Sequence, residues 1–389
     1  MDVTELEADF RVVTPLFMGG AYPEKPELRV PGIKGTLRFW WRALAYSNLN
    51  GDLKEIKKVE GQFFGSTKHG QSRVFMDISQ KKQEPNSDIF FRGRNGLMYL
   101  GYGPIEKGNI VRKYLKPPID ATLNIRMITK DEDDRALVDS EIAEKISHAL
   151  ITMGLFGGLG SRSRRGFGSF NILDLRRDSK SILKQPRGVE DLKEQIRTSL
   201  NEIKCFNDLP EYTAFSSETA VYVYRDEFID PLELLDRIGR MMLEYRAGIR
   251  GHPSKFKPDT DLAKKALYER VDRHPERIFF GLPHNYHFPK RQLTLDVIPV
   301  SPNRERSHDR RASPLFIHIQ ELRNGKYAAV ATLIPAVFLP EDDRIFMKRQ
   351  KSPESPESEV QVDVEGARSL KVIRDFLDSD SKWEKVIPA

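Results

Sequence analysis

Alternating apolar and polar residues over Ala8–Val13 predict a first strand, closed by Thr14-Pro15 and followed by a turn at Gly19-Gly20. Beyond Pro31-Gly32 the spacing becomes helical. Ile33, Leu37, Trp40, Trp41 and Leu44 fall within a sector roughly 100° wide and should face a core, so both tryptophans are expected to pack inside. Val74, Met76 and Ile78 alternate along a second strand, and Leu123, Ile125 and Met127 share one face of a third over residues 122–129. Between them lies a long polar, glycine-rich insertion, whose KKQEPNSDIFFRGRNG portion reads as an exposed loop. Ile142, Ile146, Ala149, Leu150 and Met153 form the stripe of a second helix that ends at Gly154, and Phe167 to Leu175 resumes as a strand. The resulting order, β-α-β-β-α-β, is the split βαβ or ferredoxin-like arrangement.

Val189, Leu192, Ile196, Leu200 and Ile203 mark a further helix, and the break at Asp208-Leu209-Pro210 marks a domain boundary. The second half opens with a strand from Glu218 to Tyr224 and a helix from Pro231 to Tyr245 capped by Asp230. Two strands, Leu315–Leu322 and Tyr327–Ile334, flank an Asn324-Gly325 hairpin signal. KSPESPESEV reads as a flexible linker before a closing helix marked by Leu370, Ile373, Phe376 and Leu377. Phe63-Phe64-Gly65 reappears as Phe279-Phe280-Gly281, and Ser72–Ile78 echoes Ser313–Ile319. Element order and local sequence together predict an α+β chain of two duplicated domains, 1–208 and 209–389.

At 389 residues the chain is longer than one core usually organises, which agrees with two domains. A hydrophobic content of 39% suffices for packed cores, and the mean hydropathy of −0.52 reflects a charged surface. The 63 basic against 57 acidic residues leave +6, too small a surplus for bulk charge to identify a nucleic-acid binder. A single cysteine, Cys205, excludes an intrachain disulfide framework or a cysteine-rich zinc site and fits a cytoplasmic chain. The acidic N-terminus has no apolar leader region, and no apolar run approaches the roughly 20 residues that span a bilayer. No membrane role and no cofactor are expected.

Chemistry concentrates in GLFGGLGSRSRRGFGSF, residues 154–170, with six glycines, three arginines and no acid. Gly157, Gly158, Gly160, Gly166 and Gly168 let backbone approach a ligand closely, while Arg162, Arg164 and Arg165 supply concentrated positive charge. The stretch matches neither a Walker A motif nor a dinucleotide fingerprint. It is either a glycine-rich turn with arginines in water or a phosphate-contacting loop, and three arginines in four residues with little room to bury them favour the second. Lys34, Arg38 and Arg42 follow at i, i+4 and i+8 beside the apolar sector of the first helix, forming either a solvated face or an anion-binding stripe. Phe90 and Phe91 beside Arg92 and Arg94 could stack bases or pack partly. His284 and His287 would need a further ligand to hold a metal and read more simply as a surface loop. His69 and His252 are candidate general acids or bases for a metal-independent ribonuclease. The run Asp131-Glu132-Asp133-Asp134 solvates a loop.

The blocks TPLFMGGA, RVPGIKGTLRFWWRAL, FFGS with SRVFMDI, GGLGSRSRRGFGSF, and FFGLP with RRASPLFIHI together resemble the RAMP superfamily of CRISPR proteins. Within it they resemble the first-subunit family of the type III-B Cmr RNA-silencing complexes. The resemblance implies two tandem ferredoxin-like (RRM-like) domains and a non-catalytic, RNA-binding place in a CRISPR effector complex. Its partners would be guide CRISPR RNA, target RNA and other RAMP subunits, and target cleavage would belong to a different subunit. It places the RNA contacts on Lys34, Arg38 and Arg42 and on Gly157 to Gly168 with Arg162, Arg164 and Arg165. An endoribonuclease that processes CRISPR RNA precursors is the competing reading, and a scaffold that binds only protein is a third. Whether the loop and the basic helix line one groove is a question of geometry.

Overall fold

The first strand, β1 (Val3–Val12), turns Leu6, Ala8, Phe10 and Val12 inward and leaves Glu5 and Glu7 outside, the period of a half-buried strand. In a computed structural model of the chain it pairs antiparallel on both sides. The structure describes all residues except 1–2, 21, 23, 82, 129–138, 202, 204–208, 248–253, 302–309, 351–355, 364–369 and 388–389. Cys205, His252 and the acidic run 131–134 therefore lie outside the described residues. With β2 (Val74–Gln80), β3 (Ile119–Ile128), β4 (Phe170–Arg177) and β5 (Lys180–Lys184), β1 forms a sheet in the order β2-β3-β1-β4-β5. Its inner face carries α1 (Val30–Asn48), α2 (Leu53–Phe64), α4 (Asp139–Phe156) and α5 (Val189–Asn201). The outer face is polar, with Arg176 bridging Glu7, Asp9 and Asp174.

The second half builds β6 (Ala220–Tyr224), α6 (Pro231–Ala247), β9 (Leu315–Glu321), β10 (Tyr327–Leu333), α8 (Lys371–Asp378) and β13 (Trp383–Ile387). Its sheet runs β9-β10-β6-β13, and all pairs are antiparallel. Asp230 Oδ1 accepts the Leu232 amide at 2.8 Å, the expected cap of α6, and Asn324 Oδ1 accepts the Lys326 amide in the expected hairpin. The two faces of this sheet serve different partners. Val221, Val223, Phe316 and Val330 pack with the first-half helices, whereas Tyr222, Tyr224, Ile317 and Ile319 pack toward α6 and α8. Helices α1 and α4 are thus held between two sheets, giving the layer order sheet, helices, sheet, helices.

The echo between the halves has a structural counterpart: Ser72 Oγ accepts the Val74 amide at the start of β2, and Ser313 Oγ accepts the Leu315 amide at the start of β9. Several expectations are corrected. The 81–96 portion of the insertion is mostly exposed, with Phe91 and Gly96 buried, but the rest of the insertion is not a loose polar loop: short helix α3 (Asn95–Leu100) docks on α6, and Leu97, Leu100, Ile105, Tyr114 and Leu115 are buried. The run read as a linker, whose residues 351–355 lie outside the described residues, ends in a strand, β12 (Ser358–Val360). That strand closes a third antiparallel sheet with β7 (His284–Phe288), β8 (Leu293–Val300) and β11 (Arg344–Arg349). Helix α2, helix α7 (Lys257–Ala266) and strand β13 add to the elements the hydropathy pattern revealed.

At the α3–α6 crossing the two backbones touch. Asp236 Oδ1 accepts the amides of Gly96 and Leu97, and a Cβ on Gly239 would sit 2.4 Å from the Gly96 carbonyl oxygen. Gly239→Ala must push the helices apart, so it should lower unfolding stability by about 2–3 kcal/mol in denaturant titration. A neutral effect would show that the helices are not in backbone contact.

Candidate functional site

The glycine-arginine loop leaves α4 at Phe156 and enters β4 at Phe170, and its course is set by the protein's own atoms. Gly157 lies under Trp40, whose Nε1 would be 2.8 Å from an added Cβ; Gly166 lies against Leu235 of α6. Gly158, Gly160 and Gly168 are held as closely by the carbonyls of Phe167, Phe17 and Leu159. Thr14 pins the loop from the other side, donating to the Gly166 carbonyl at 2.7 Å and accepting from the Ser169 amide.

The loop and the start of β4 also seal the free edge of β9. The outward amides of Ile317, Ile319 and Glu321 donate to the Arg164 carbonyl at 3.1 Å, Ser169 Oγ at 3.0 Å and Asn171 Oδ1 at 2.6 Å. An edge strand presents such groups unpaired unless something covers them.

The expectation that the loop has little room to bury its arginines is corrected. Arg164 stacks 4.4 Å from the Phe316 ring centroid and donates to the Ser313 carbonyl at 2.7 Å. Arg165 donates to the Phe280 carbonyl at 3.1 Å and to Met242 Sδ. Burial lowers both guanidinium pKa values to about 10, so both remain cations near neutral pH. Arg162, at φ +63°, turns the other way, toward the turn at Tyr102 and Gly103.

Nor is the stripe on α1 a row of free charges. Lys34 Nζ donates to Ser72 Oγ at 2.8 Å and to the Val74 carbonyl, and burial together with Arg38 lowers its pKa. Arg38 and Arg42 share Glu60 Oε1 of α2 at 2.9 and 2.8 Å, with side chains 37% and 38% exposed. Trp40 and Trp41 are buried, as expected. Phe91 is buried and Phe90 packs on Phe17, Tyr114 and Phe167, so neither offers a free stacking face.

The loop and α1 do line one groove, through a different face of the helix. A cleft of about 410 Å³ opens between Pro31, Gly32, Gly35, Thr36 and Phe39 on one wall and Gly158, Gly160, Ser163 and Arg164 on the other, with Met18, Trp40 and Phe316 completing the lining. Among the described residues, the lining holds no carboxylate, histidine or cysteine. Gly35 is exposed in the helix, and a Cβ there would meet nothing within 4 Å. Packing does not ask for glycine at that position, and glycine costs about 1 kcal/mol relative to alanine within a helix. Two glycines three apart in an otherwise good helix were the sequence signal for this wall. Gly157, Gly166 and Gly168, by contrast, belong to the loop's internal packing.

Of the histidines, His69 Nδ1 lies 2.9 Å from Ser66 Oγ in a tight turn, and His284 is pushed down to about pKa 3 by burial and by Arg246 and Arg277. His318, on β9, is buried and lies 2.7 Å from the Gly157 carbonyl, to which Nδ1–H donates. Burial lowers its pKa to about 4.

Residues 9–171 match the family model of the RAMP superfamily. The Cmr subunit Cmr1-1 of the CRISPR system of Pyrococcus furiosus is 27% identical over 320 residues, covering 82% of this chain and 83% of that protein. Cmr1-2 of the same organism is 26% identical over 188 residues, covering 43% of this chain and 95% of its own. Among solved structures, apo Cmr1 from P. furiosus superimposes with a TM-score of 0.59 at 20% identity over 99% of both chains. A chain of type III-B Cmr-beta bound to cognate target RNA gives 0.54 at 16% identity, over 96% of this chain and all of that one. The fold is the mixed α and β fold of these proteins.

Two outcomes test the loop's internal role. Arg165→Ala strands the Phe280 carbonyl and should cost about 2–3 kcal/mol of stability, whereas Arg162→Ala should stay within about 0.5 kcal/mol. Equal losses in thermal and denaturant melts would contradict the division. His318 supplies a pH dependence. Its folded pKa of about 4 lies below the unfolded value near 6.5, so the unfolded chain takes up a proton that the folded chain refuses. Stability should fall as pH drops from 6.5 toward 4, at about 1.4 kcal/mol per pH unit for this group. Denaturant titrations at several pH values should show His318→Asn losing one proton's share of that slope, and an unchanged slope would refute the assignment.

Proposed function

We propose that this chain, whose residues 9–171 match the RAMP superfamily model, is a RAMP protein and serves as a non-catalytic, RNA-binding subunit of a type III-B CRISPR effector complex. Its partners on this reading are guide CRISPR RNA, target RNA and other RAMP subunits, in line with the names of its relatives and with the Cmr-beta chain whose fold it shares. The carrying observation is the acid-free cleft between α1 and the glycine-arginine loop, where Gly35 keeps space that no packing requires. Backbone glycines, Ser163 and Thr36 suit close approach of a sugar-phosphate chain, and Arg164 sets positive charge in the wall. Arg38 and Arg42 occupy the next sector of α1, and Arg162 lies on the loop's other side, against the Tyr102 turn. A surface of this kind reads backbone charge and shape, with sequence left to guide-target pairing.

The strand orders β2-β3-β1-β4 and β9-β10-β6-β13 support a finer description, two ferredoxin-like halves over 1–208 and 209–389. Among the described residues, no histidine, carboxylate or cysteine lines the cleft, which favours the binding subunit over the precursor-processing nuclease.

Gly35→Glu places a carboxylate in open space within the cleft. It should weaken binding of labelled single-stranded RNA about tenfold while leaving the melting curve in place, whereas Gly35→Ala should bind normally and gain about 0.5–1 kcal/mol of stability. If Arg38, Arg42 and Arg162 each meet a phosphate, the log-log salt slope should be about −2. Undiminished binding by Gly35→Glu, or no salt dependence, would contradict the proposal.

A further inference from the structure

Beyond the cleft, the insertion between β2 and β3 exposes one large aromatic beside arginines that, among the described residues, no carboxylate bridges. Tyr102 is 69% exposed on a turn held from beneath by buried Leu100 and Ile105. Residues 101–116 carry Lys107, Arg112, Lys113 and Lys116 against a single acid, Glu106, which lies in a short hairpin with Asn109. Val111 and Arg112 donate their amides to the Pro104 carbonyl, and Leu115 exchanges both backbone bonds with Leu16. The segment is therefore fixed to the body of the protein and is not a loose loop.

The glycine-arginine loop reaches this segment by its other side. Arg112 Nη1 donates to Ser161 Oγ at 2.7 Å, and Ser161 donates its amide to the Phe17 carbonyl. The Arg162 guanidinium lies against Gly103, where an added Cβ would be 2.9 Å from Nη2. Its electrostatic neighbours are Tyr102 and Arg310. Among the described residues no carboxylate bridges Arg112 or Arg162. Ser161 and Arg162 thus face the Tyr102 turn, while Gly158, Gly160, Ser163 and Arg164 of the same loop face the cleft.

We propose that Tyr102, flanked by Arg112 and Arg162, is a stacking platform for one base of the single-stranded RNA that leaves the cleft. This rests on the RNA-binding reading above. An exposed ring beside two guanidiniums combines the sequence-tolerant π surface and the phosphate contacts that single-strand binding uses. The phenol ring takes the base, and the two guanidiniums take the phosphates on either side. A protein neighbour would be better matched by an apolar surface or by acids opposite these arginines, and Val111 is the one other large apolar side chain exposed on this segment.

The test compares full-length wild type with Tyr102→Ala, Tyr102→Phe and Tyr102→Trp in fluorescence polarisation with a labelled single-stranded RNA of mixed sequence. Tyr102→Ala should weaken binding about tenfold, while the aromatic variants stay within about twofold of wild type. An RNA carrying 2-aminopurine should show quenching that disappears only in the alanine variant. Wild-type affinity in Tyr102→Ala, or equal loss in Tyr102→Phe, would overturn the platform and leave the cleft reading intact. Failure of wild type itself to bind RNA would overturn both. Unchanged RNA affinity with Tyr102 protected from surface labelling by other subunits would assign the turn to a protein contact and overturn the proposal.

Discussion

The edge of the second sheet is sealed by the loop of the first half, and most of the architecture follows from that seam. Three outward amides of β9 find their acceptors on Arg164, Ser169 and Asn171, and Asn171 Nδ2 in turn donates to the Ile319 carbonyl at 3.0 Å. These are buried groups, so each lost partner would leave an unsatisfied polar atom away from water. The seam fixes the second sheet over α1 and α4, and Trp40, Phe39 and Phe316 then close the space beneath it. The cleft is what remains at the mouth of this junction, walled by the same loop that makes the seal.

Positive charge on the loop serves two purposes that residue type alone does not separate. Arg164 and Arg165 are drawn into the second half by carbonyls and aromatic rings, where a guanidinium keeps several donors satisfied while its plane stacks. Arg162, with a left-handed backbone, instead lies half-buried against the turn at Gly103. One short run thus supplies both a structural rivet and a half-buried cation beside the Tyr102 turn.

Local signals carried the parts of the fold that depend on local physics. The period of Ile33, Leu37, Trp40 and Trp41 and the Asn324-Gly325 turn each act within a few residues, so α1 and the β9–β10 hairpin were legible. Helix α2 was hidden because its charged residues mask a narrow stripe of Ile56, Val59 and Phe63. Strand β13 is five residues long and draws its stability from β6, far away in sequence. The site was half legible for the same reason. Glycines at 157–168 announced close approach, and only the tertiary fold reveals that several approach Trp40, Leu235 and Leu159. Gly35 was visible as a helix glycine, but its open surroundings belong to the packed structure.

The central claim is that one loop both joins the halves and shapes an RNA-binding cleft. Photo-crosslinking of thiouridine-containing RNA to the full chain, followed by peptide mapping, tests it most directly. Crosslinks should fall on the 30–41 segment of α1 and on residues 157–164. Crosslinks confined to the polar outer face of the first sheet, around Glu7, Asp9 and Arg176, would contradict it.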